Sequence, residues 1–512
     1  MRTKNSLKNI LSVIFFNVII GALGFLKARV FVDGLANDIY SLNQLFYQIF
    51  GYIAVADLGI GLIINKQLYK ALSNNDEKEV NNVYSSSKVF FRNIGLIMLG
   101  IAFILSFFVQ FLTKADVSPW YIQLVFIIFI FRNIVDYFFV APRCVLEADQ
   151  KLYKINYLFK SIKIIETIIE VVLVILGVDY LIVLLPGIVI TILIDLYMNK
   201  KIYKEYPWLK DTKKFNKKHL KGTKHVIWQK LSGLLSTNTD IILVSSFINP
   251  LNVIIYTSYN YVCQYLSDTI FIIGTAITPS FANLLHKEKD DKKYSVFTEI
   301  NIFFFFIGSF IMIMLYGFLT QLISFWMGQE YIAVNAVLLL FCLITFQKIA
   351  DRPMGMIIQS YGLFKETQTA CIVEALLNFG LSLILVKPFG ILGVLLGTFL
   401  SKLFITTWQY PSYIMKNIFN KSVFRYLINY FVVLIINLIF IFVLNRIVPP
   451  IESVLSWFIY VLIFAGVTGI ALLIIYFIMF KSFKLLVNRG VFYIKSIIDK
   501  KGNNNATMSN RS

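Results

Sequence analysis

The chain has 512 residues, of which 58% are hydrophobic and only 15% charged, and its mean hydropathy is +0.73. These values exclude a soluble globular domain and indicate an integral membrane protein. Its apolar runs are about twenty residues long or longer, which suits helices that cross a bilayer core about 30 Å thick. None alternates as a barrel strand does, so the sequence predicts an all-α polytopic membrane protein.

Turn and charge clusters divide the chain into about fourteen predicted transmembrane helices. These are residues 10–31, 39–65, 83–111, 119–142, 155–176, 180–199, 225–248, 252–284, 295–320, 331–359, 367–386, 390–414, 424–445 and 454–480. The apolar part of the first is too long for a signal peptide and no small-residue cleavage site follows it. It is therefore expected to be retained as a span.

The net charge of +20 follows the predicted topology. With the N-terminus inside, most Lys and Arg residues fall in cytoplasmic loops and tails, so the positive-inside rule puts both termini in the cytoplasm. The most basic loop, residues 200–224, is expected to lie near anionic membrane lipids. The charge therefore requires no nucleic-acid partner.

The chain lacks the signatures of bound metals and common cofactors. Its four cysteines lie in apolar segments without paired spacing, and its three histidines have no acidic or cysteine partners at ligand spacing. No Gly-rich nucleotide-binding loop ending in Lys and Ser or Thr occurs. We expect no disulfide framework, metal site or cofactor.

Sliding the chain along itself by 211 residues reveals an internal repeat. Pro142 then falls on Pro353 and Lys154 on Lys365, and span boundaries coincide over six helices. Because six is even, the two copies have the same orientation, and such bundles commonly enclose a substrate cavity between their halves. The predicted domains are two six-helix lobes at 1–211 and 212–422, two additional transmembrane helices at 423–481, and a basic amphipathic segment with a disordered cytoplasmic tail at 482–512.

Several cations lie inside predicted spans, where each costs roughly 2.5 to 3.5 kcal/mol on insertion scales unless it faces a partner or water. Lys27 and Arg29 lie in the outer half of the first span, where the positive-inside rule would not place them. Either they extend to outer headgroups, or Arg29 lines an aqueous cavity and attracts an anion. The candidate cationic cavity residues are Arg29, Lys27, Arg132, Lys160 and Lys163.

Other intramembrane charges have simpler interpretations. Arg132 can pair with Asp136 four residues on. Lys163 can pair with Glu166 three residues on, or with Glu170 by way of Thr167. Those at span ends, such as Asp195 and Lys402, are expected to extend to the headgroups. The residues Lys348, Asp351 and Arg352 form a charge cluster that is expected to be structural.

The acidic residues Asp57 and Asp268 occupy matching positions in the two predicted lobes. Asn260 and Gln264 share a broad helix face with Asp268, and such a group could bind Na⁺ or carry a proton. Alternatively, these acids pair with lysines of the inner loops. The ion-coupling or gating candidates are Asp57, Asp240, Asp268, Asn260 and Gln264.

Three stretches carry a family resemblance: "ADLGIG" in the second span, "TD" followed by a short turn and Tyr in the seventh and eighth, and "SYGLFKETQTACIVEALLNFGLSLILVKPFGILGVLLGTFLS" near residues 360–401. With them the chain resembles the bacterial polysaccharide transporters called Wzx-type flippases. These share a superfamily with the multidrug and toxic compound extrusion (MATE) transporters and the lipid II flippase.

The resemblance implies two six-helix lobes around a cationic cavity in a bacterial cytoplasmic membrane. It implies that alternating access moves an undecaprenyl-pyrophosphate-linked oligosaccharide from the inner to the outer leaflet, driven by an ion gradient or the membrane potential. A polysaccharide polymerase is a possible partner. Arg29 matches the cationic residues that such flippases carry in the first helix.

Three other functions compete with this interpretation. A lipid II flippase differs mainly in the head group of its substrate, and a multidrug exporter for organic cations should have an acidic and aromatic pocket. A membrane glycosyltransferase or polymerase would need a sizeable outer loop, whereas the predicted outer loops are about a dozen residues or fewer. The sequence therefore predicts a transporter rather than an enzyme.

The offset of 211 residues places Asp240 opposite Arg29, so the two could pair across the lobes when the outside is closed. We predict that Arg29→Asp and Asp240→Arg each abolish translocation in reconstituted vesicles. The double variant restores both charges with their positions exchanged and should recover translocation. A double variant as inactive as either single one would exclude the pairing.

Overall fold

The computed structural model describes residues 2–54, 60–149, 151, 153–212 and 239–489. Over these ranges the chain is helical, with short 3-10 turns and no strand, which confirms the predicted all-α membrane fold class. The first half contains α1 Arg2–Gly34, α2 Asn37–Ile53, α3 Ile60–Ser73, α4 Glu77–Ser106, α5 Pro119–Ile134, α6 Ala141–Ala148, α7 Tyr153–Ile175 and α8 Tyr180–Glu205.

The remaining helices follow residue 238. They are α9 239–247, α10 Pro250–Lys287, α11 Asp290–Trp326, α12 Asn335–Ala350, α13 Arg352–Tyr361, α14 Phe364–Phe389, α15 Ile391–Phe404, α16 Thr406–Asn417, α17 Phe424–Ile447, α18 Val454–Met479 and α19 481–489.

Nine helical stretches within the described ranges are long and apolar enough to cross a membrane. Many of them expose Leu, Ile and Phe side chains, and α18 buries only 11% of its most apolar stretch inside the protein. An apolar helix surface of this kind is stable only in hydrocarbon. The described helices therefore form a multi-pass membrane protein.

The chain divides into two compact units. Unit 1 comprises the described residues up to Thr257 together with Ala375–Val394, and unit 2 comprises Ser258–Glu374 and the described residues from Leu395 onward. Within unit 1, α1 packs on α7, α4 on α5, and α7 on α8. Within unit 2, α11 is central and packs on α12, α17 and α18.

One hydrophobic core cluster of unit 1 is built from α3, α4, α6 and α8. Leu68, Tyr84, Val145 and Met198 are fully buried there. The Tyr84 hydroxyl forms a hydrogen bond with the Tyr203 hydroxyl at 2.6 Å, at the edge of this core. Aliphatic side chains from four helices thus exclude both water and lipid from this end of the unit.

A polar junction links the end of α6 to the end of α8. Lys151 Nζ lies 2.6 Å from Asp149 and 3.3 Å from Glu205, and the Tyr206 hydroxyl donates to Asp149 at 2.5 Å. The hydrogen bond to Asp149 raises the pKa of Lys151 above its ordinary value. The lysine therefore remains charged over the physiological pH range.

Aromatic rings contribute to the core of unit 2. Phe305 of α11, Phe346 of α12 and Tyr430 of α17 lie with ring centroids 5.5 to 6.3 Å apart. These separations suit edge-to-face and offset ring contacts. Tyr476 of α18 adds a hydrogen bond, since its hydroxyl lies 2.7 Å from the Ser309 hydroxyl.

Three successive helices begin at the offset of 211 residues found in the sequence. The starts of α6 and α13, of α7 and α14, and of α8 and α15 are each separated by that interval. Pro142 and Pro353 lie in the first turns of α6 and α13, where proline is tolerated because the first amides lack an intrahelical acceptor. These matches support a repeat, while the proposed domain boundaries stay a prediction.

The turn from α14 to α15 brings two backbones unusually close. Gly390 has a φ of +58°, and a Cβ at Gly393 would lie 2.0 Å from the Leu385 carbonyl oxygen. Gly393→Ala should therefore lower the free energy of unfolding by about 1 to 3 kcal/mol, because the backbone must move apart. Gly380→Ala, where nothing lies within 4 Å of the new Cβ, is the matched control and should change it by less than about 1 kcal/mol. Equilibrium unfolding in detergent micelles measures both, and equal effects would contradict the close approach.

Candidate functional site

Five charged side chains form a cluster inside unit 1, which we call the unit 1 ion cluster. Lys27 comes from α1, Arg132 from the last turn of α5, and Lys163, Glu166 and Glu170 from α7. The two glutamates are four residues apart and therefore lie one above the other on the same face of α7. That face receives cations from two other helices.

The two carboxylates are shared among the three cations. Lys27 donates to Glu170, and Arg132 donates through Nη2 to both Glu166 and Glu170. Lys163 completes the group with Nζ 3.0 Å from Glu166. The Glu170 side chain is only 1% exposed, whereas that of Lys163 is 54% exposed. The cluster thus extends from a dry interior to an accessible edge.

Gly187 of α8 makes room for this cluster. A Cβ at this position would lie 2.3 Å from Arg132 Nε and 2.7 Å from Glu166 Oε1. Any larger residue would displace the ion pair. On the other side of the cluster, Lys27 Nζ lies 4.8 Å from the centre of the Phe31 ring, a distance suited to a cation–π contact.

The unit 1 ion cluster carries three formal positive charges and two negative ones. Placing charges in a low-dielectric interior is stable only when partners compensate them, and each of the five has at least one. The cluster therefore has one surplus positive charge. Its most exposed side chain is that of Lys163. Electrostatically, the cluster is complementary to an anion at its accessible edge.

The structure brings together three of the five cations predicted to line a cavity, Lys27, Arg132 and Lys163. Arg29 lies elsewhere on α1, with Nε 2.7 Å from Asp33. Lys160 has Nζ 6.0 Å from the centre of the Phe16 ring. Within the described part of unit 1, the two glutamates organise the cluster, whereas the sequence pattern indicates them only as partners of single cations.

The expected pair of Arg132 with Asp136 is wrong, while that of Lys163 with Glu166 is confirmed. The α-helix ends at Ile134 and continues as a 3-10 turn, so positions 132 and 136 no longer lie one turn apart on the same face. Asp136 pairs instead with Arg143 of α6.

Arg143 also faces Asp195 of α8, whose carboxylate lies 3.8 Å away and is 1% exposed. The expectation that Asp195 extends to the headgroups is therefore wrong, because Asp195 is buried and α6 supplies a partly buried cation near it. Sequence reasoning missed Arg143, although its position just after Pro142 in a predicted span was a signal for a helix break with a charge beside it.

One acidic candidate, Asp240, lies apart from this cluster. Asp57 lies outside the described residues. Asp240 of α9 is buried and accepts a hydrogen bond from the Tyr256 hydroxyl at 2.9 Å. Next to it, Thr239 forms a hydrogen bond with the Tyr52 hydroxyl at 2.6 Å.

Unit 2 contains a cavity of about 400 Å³ that includes two further candidates, Gln264 and Asp268. We call it the unit 2 cavity. Asn260 lies one turn before Gln264 in α10 and is half-buried. The cavity is lined by Gln264, Ser267, Asp268, Ile270, Phe271, Lys348, Ile349, Asp351, Arg352, Gly355, Lys402, Thr406 and Tyr410.

Hydrogen bonds order the polar side of the unit 2 cavity. Lys348 donates to Gln264 Oε1 at 2.9 Å, and Gln264 Nε2 donates to Asp268 at 2.9 Å. The side-chain amide of Gln264 thus bridges the Lys348 ammonium and the Asp268 carboxylate. Lys402 Nζ lies 2.9 Å from Glu374, so its expected extension to the headgroups is wrong.

The charge cluster of Lys348, Asp351 and Arg352, expected to be structural, lines this cavity. A cluster at the end of one predicted span gave no sign that α10 and α15 would close around it. These residues flank the break at which α12 ends at Ala350 and α13 begins at Arg352.

No protein-family model matches the sequence, and no curated protein does. Solved structures match the fold. The lipid II flippase MurJ, in an inward closed conformation, is similar with a TM-score of 0.70 and 15% identity over 91% of this chain and 99% of that chain.

An inward-facing multidrug resistance MATE family transporter of the MOP superfamily has a TM-score of 0.57 and 14% identity over 76% of this chain and 93% of that chain. The chain has the MOP transporter fold. A MOP superfamily transporter from Pyrococcus furiosus is a further match, with a TM-score of 0.50 and 12% identity over 77% of this chain and 92% of that chain. This fold is the one that the sequence resemblance implies.

Within this MOP fold, the unit 1 ion cluster should respond unequally to the loss of its charges. Glu170→Gln leaves the buried Arg132 and the partly buried Lys27 with one carboxylate fewer. It should lower the free energy of unfolding by about 3 to 5 kcal/mol. Lys163→Met removes a half-exposed partner and should cost less than about 1 kcal/mol.

Equilibrium unfolding in detergent micelles measures both variants. The double variant Lys27→Met with Glu170→Gln removes one charge of each sign and should recover part of the loss. If Glu170→Gln and Lys163→Met cost the same, the buried carboxylate does not hold the cluster together.

Proposed function

We propose that this protein is a flippase for an undecaprenyl-pyrophosphate-linked oligosaccharide and moves it from the inner to the outer leaflet for surface polysaccharide assembly. The observation that carries the proposal is the unit 1 ion cluster, a cation-rich group inside an apolar helical unit. The MOP fold supports it, since the similar structures include a lipid II flippase.

The chemistry of such a substrate explains why buried cations would be useful. A glycan on a pyrophosphate has a polar, anionic head that cannot enter hydrocarbon unaided, whereas its polyprenyl tail can stay in the bilayer. Arginine and lysine provide counter-charge for the phosphates, and the arginine fork can bind two phosphate oxygens at once. Lys163 is the exposed member that would meet the head first.

A multidrug exporter for organic cations is less compatible with this electrostatics. Such a substrate requires carboxylates that are available to it, and both glutamates of the unit 1 ion cluster are already held by Lys27, Arg132 and Lys163. The balance of charge in the cluster therefore favours an anionic cargo. The fold does not specify the head group of the cargo, and the oligosaccharide head group is part of the proposal.

The proposed cycle is alternating access by two lobes around a cationic cavity, with Arg29 and Lys160 as further lining residues. Energy would come from an Na⁺ or H⁺ gradient or from the membrane potential. Asp57, Asp240, Asp268, Asn260 and Gln264 are the proposed coupling or gating residues. We propose a location in the bacterial cytoplasmic membrane with both termini inside, and a polysaccharide polymerase as partner.

Lipid II is a second candidate substrate, favoured by one observation. The solved lipid II flippase is similar over 91% of this chain, against 76% for the MATE family transporter described above. Both candidate substrates carry a polyprenyl pyrophosphate. They differ in the sugar and peptide groups beyond it.

Translocation into the outer leaflet of reconstituted vesicles tests the proposal directly. Labelled lipid-linked oligosaccharide and labelled lipid II, offered separately to the intact protein, should show faster translocation of the oligosaccharide. Arg29→Ala and Lys27→Met should each slow it at least about tenfold, the effect of one lost charged hydrogen bond.

Arg92→Ala is the matched control, because this α4 arginine is exposed, and it should translocate at the rate of the unchanged protein. Rates are normalised to folded protein in the vesicles. Faster movement of lipid II would select the second candidate. Equal rates for Arg29→Ala, Lys27→Met and Arg92→Ala would remove the cations from the proposed role.

A further inference from the structure

Arg352 is a buried cation held differently from Arg132. It is the first residue of α13 and is 7% exposed. Its guanidinium carbon lies 3.5 Å from the centre of the Phe271 ring, and a Cβ at Gly274 would be 2.5 Å from its Nε. The aromatic ring and the glycine of α10 together form a close-fitting seat for this side chain.

The seat leaves hydrogen-bond donors of Arg352 unused. Neither Nε nor Nη2 has a hydrogen-bond partner within the described residues, and none of the described carboxylates forms a salt bridge with this side chain. By contrast, Arg132 donates to two glutamates. A buried guanidinium without an acceptor carries a desolvation cost that a ligand oxygen would relieve.

The two unused nitrogens lie on the same edge of the guanidinium. That edge binds two oxygens of one anion side by side, which is the geometry that distinguishes arginine from lysine. Two further cations, Lys348 and Lys402, line the same cavity, as do the carboxylates Asp268 and Asp351. The lining therefore carries three formal positive charges against two negative ones, and this excess together with the unused arginine donors favours an anion.

The size and lining of the unit 2 cavity suit a small anionic group with an apolar attachment. Its volume of about 400 Å³ lies within the roughly 300 to 1,000 Å³ usual for small-molecule sites. Phe271, Ile270 and Ile349 provide an apolar wall beside the charged groups. Both features fit a phosphoryl group that is esterified to a lipid, although free pyrophosphate shares the same anionic chemistry.

We propose that the unit 2 cavity is a phosphoryl-anion site in which Arg352 binds two phosphate oxygens and Lys348 and Lys402 supply further positive charge. The choice of a lipid phosphate as its natural occupant rests on the proposed function, whereas the anion site itself does not. Phe271 holds the guanidinium plane, and Gly274 admits it.

Binding to the full chain in detergent micelles tests this site. Isothermal titration calorimetry is carried out with two probes, inorganic pyrophosphate and a polyprenyl phosphate dispersed in the same detergent. Arg352→Gln should weaken binding roughly tenfold to a hundredfold, as expected for the loss of charged hydrogen bonds. Binding of pyrophosphate alone identifies a free-anion site, and binding of only the polyprenyl phosphate identifies a lipid-headgroup site.

Arg446→Gln is the matched control. The guanidinium carbon of Arg446 also lies over a phenylalanine ring, 5.2 Å from the centre of the Phe442 ring, but this arginine is exposed. It should bind both probes as the unchanged protein does. If the unchanged protein binds neither probe, or if Arg352→Gln binds them with unchanged affinity, the proposal is wrong.

Gly274→Ala decides the matter if Arg352→Gln fails to fold, because it keeps every charge and only displaces the guanidinium. Weaker binding supports the site, and unchanged affinity rejects it. The outcome is separable from the flippase assay. Arg352-dependent binding without vesicle translocation retains the anion site and rejects the proposed function, while translocation with Arg352-independent binding does the reverse.

Discussion

Hydrocarbon cannot satisfy a charge, and this constraint governs the polar organisation of the protein. In unit 1, Glu170 is almost completely buried and accepts from both Lys27 and Arg132, so it ties α1 and α5 to α7. Gly187 then allows α8 to approach the same ion group. Four helices are thereby oriented by one pair of glutamates on successive turns of α7.

The two units solve the same problem with different results. In unit 1 each cation of the ion cluster has a carboxylate, so the cluster is a structural centre with one surplus positive charge at its edge. In unit 2, Gln264 forms hydrogen bonds with both Lys348 and Asp268. Arg352 packs on the Phe271 ring instead of pairing with a carboxylate. The unit 1 ion cluster thus satisfies its charges internally apart from the surplus at its accessible edge, whereas Arg352 keeps donors that no described group accepts.

Helix breaks place these groups. The α-helix is interrupted after Ile134 and again after Ala350, and in each case a proline lies in the first turn of the next short α-helix. Pro142 and Pro353 were recognisable as a repeated pair in the sequence. The contacts made at these breaks were not recognisable in the sequence. Neither spacing nor hydropathy encodes that Asp136 pairs with Arg143 or that Arg352 lines a cavity.

The sequence by itself determined the all-α membrane class, the superfamily resemblance, the repeat interval and the presence of costly intramembrane charges, because each depends on composition or on position along the chain. It also indicated the local pair of Lys163 and Glu166. Tertiary structure alone decided that Lys27 and Arg132 meet at Glu170, 143 and 38 residues away, and that Arg352 lines a cavity. Contacts between distant helices depend on how each helix is rotated and broken, and that is settled only when the apolar faces pack together.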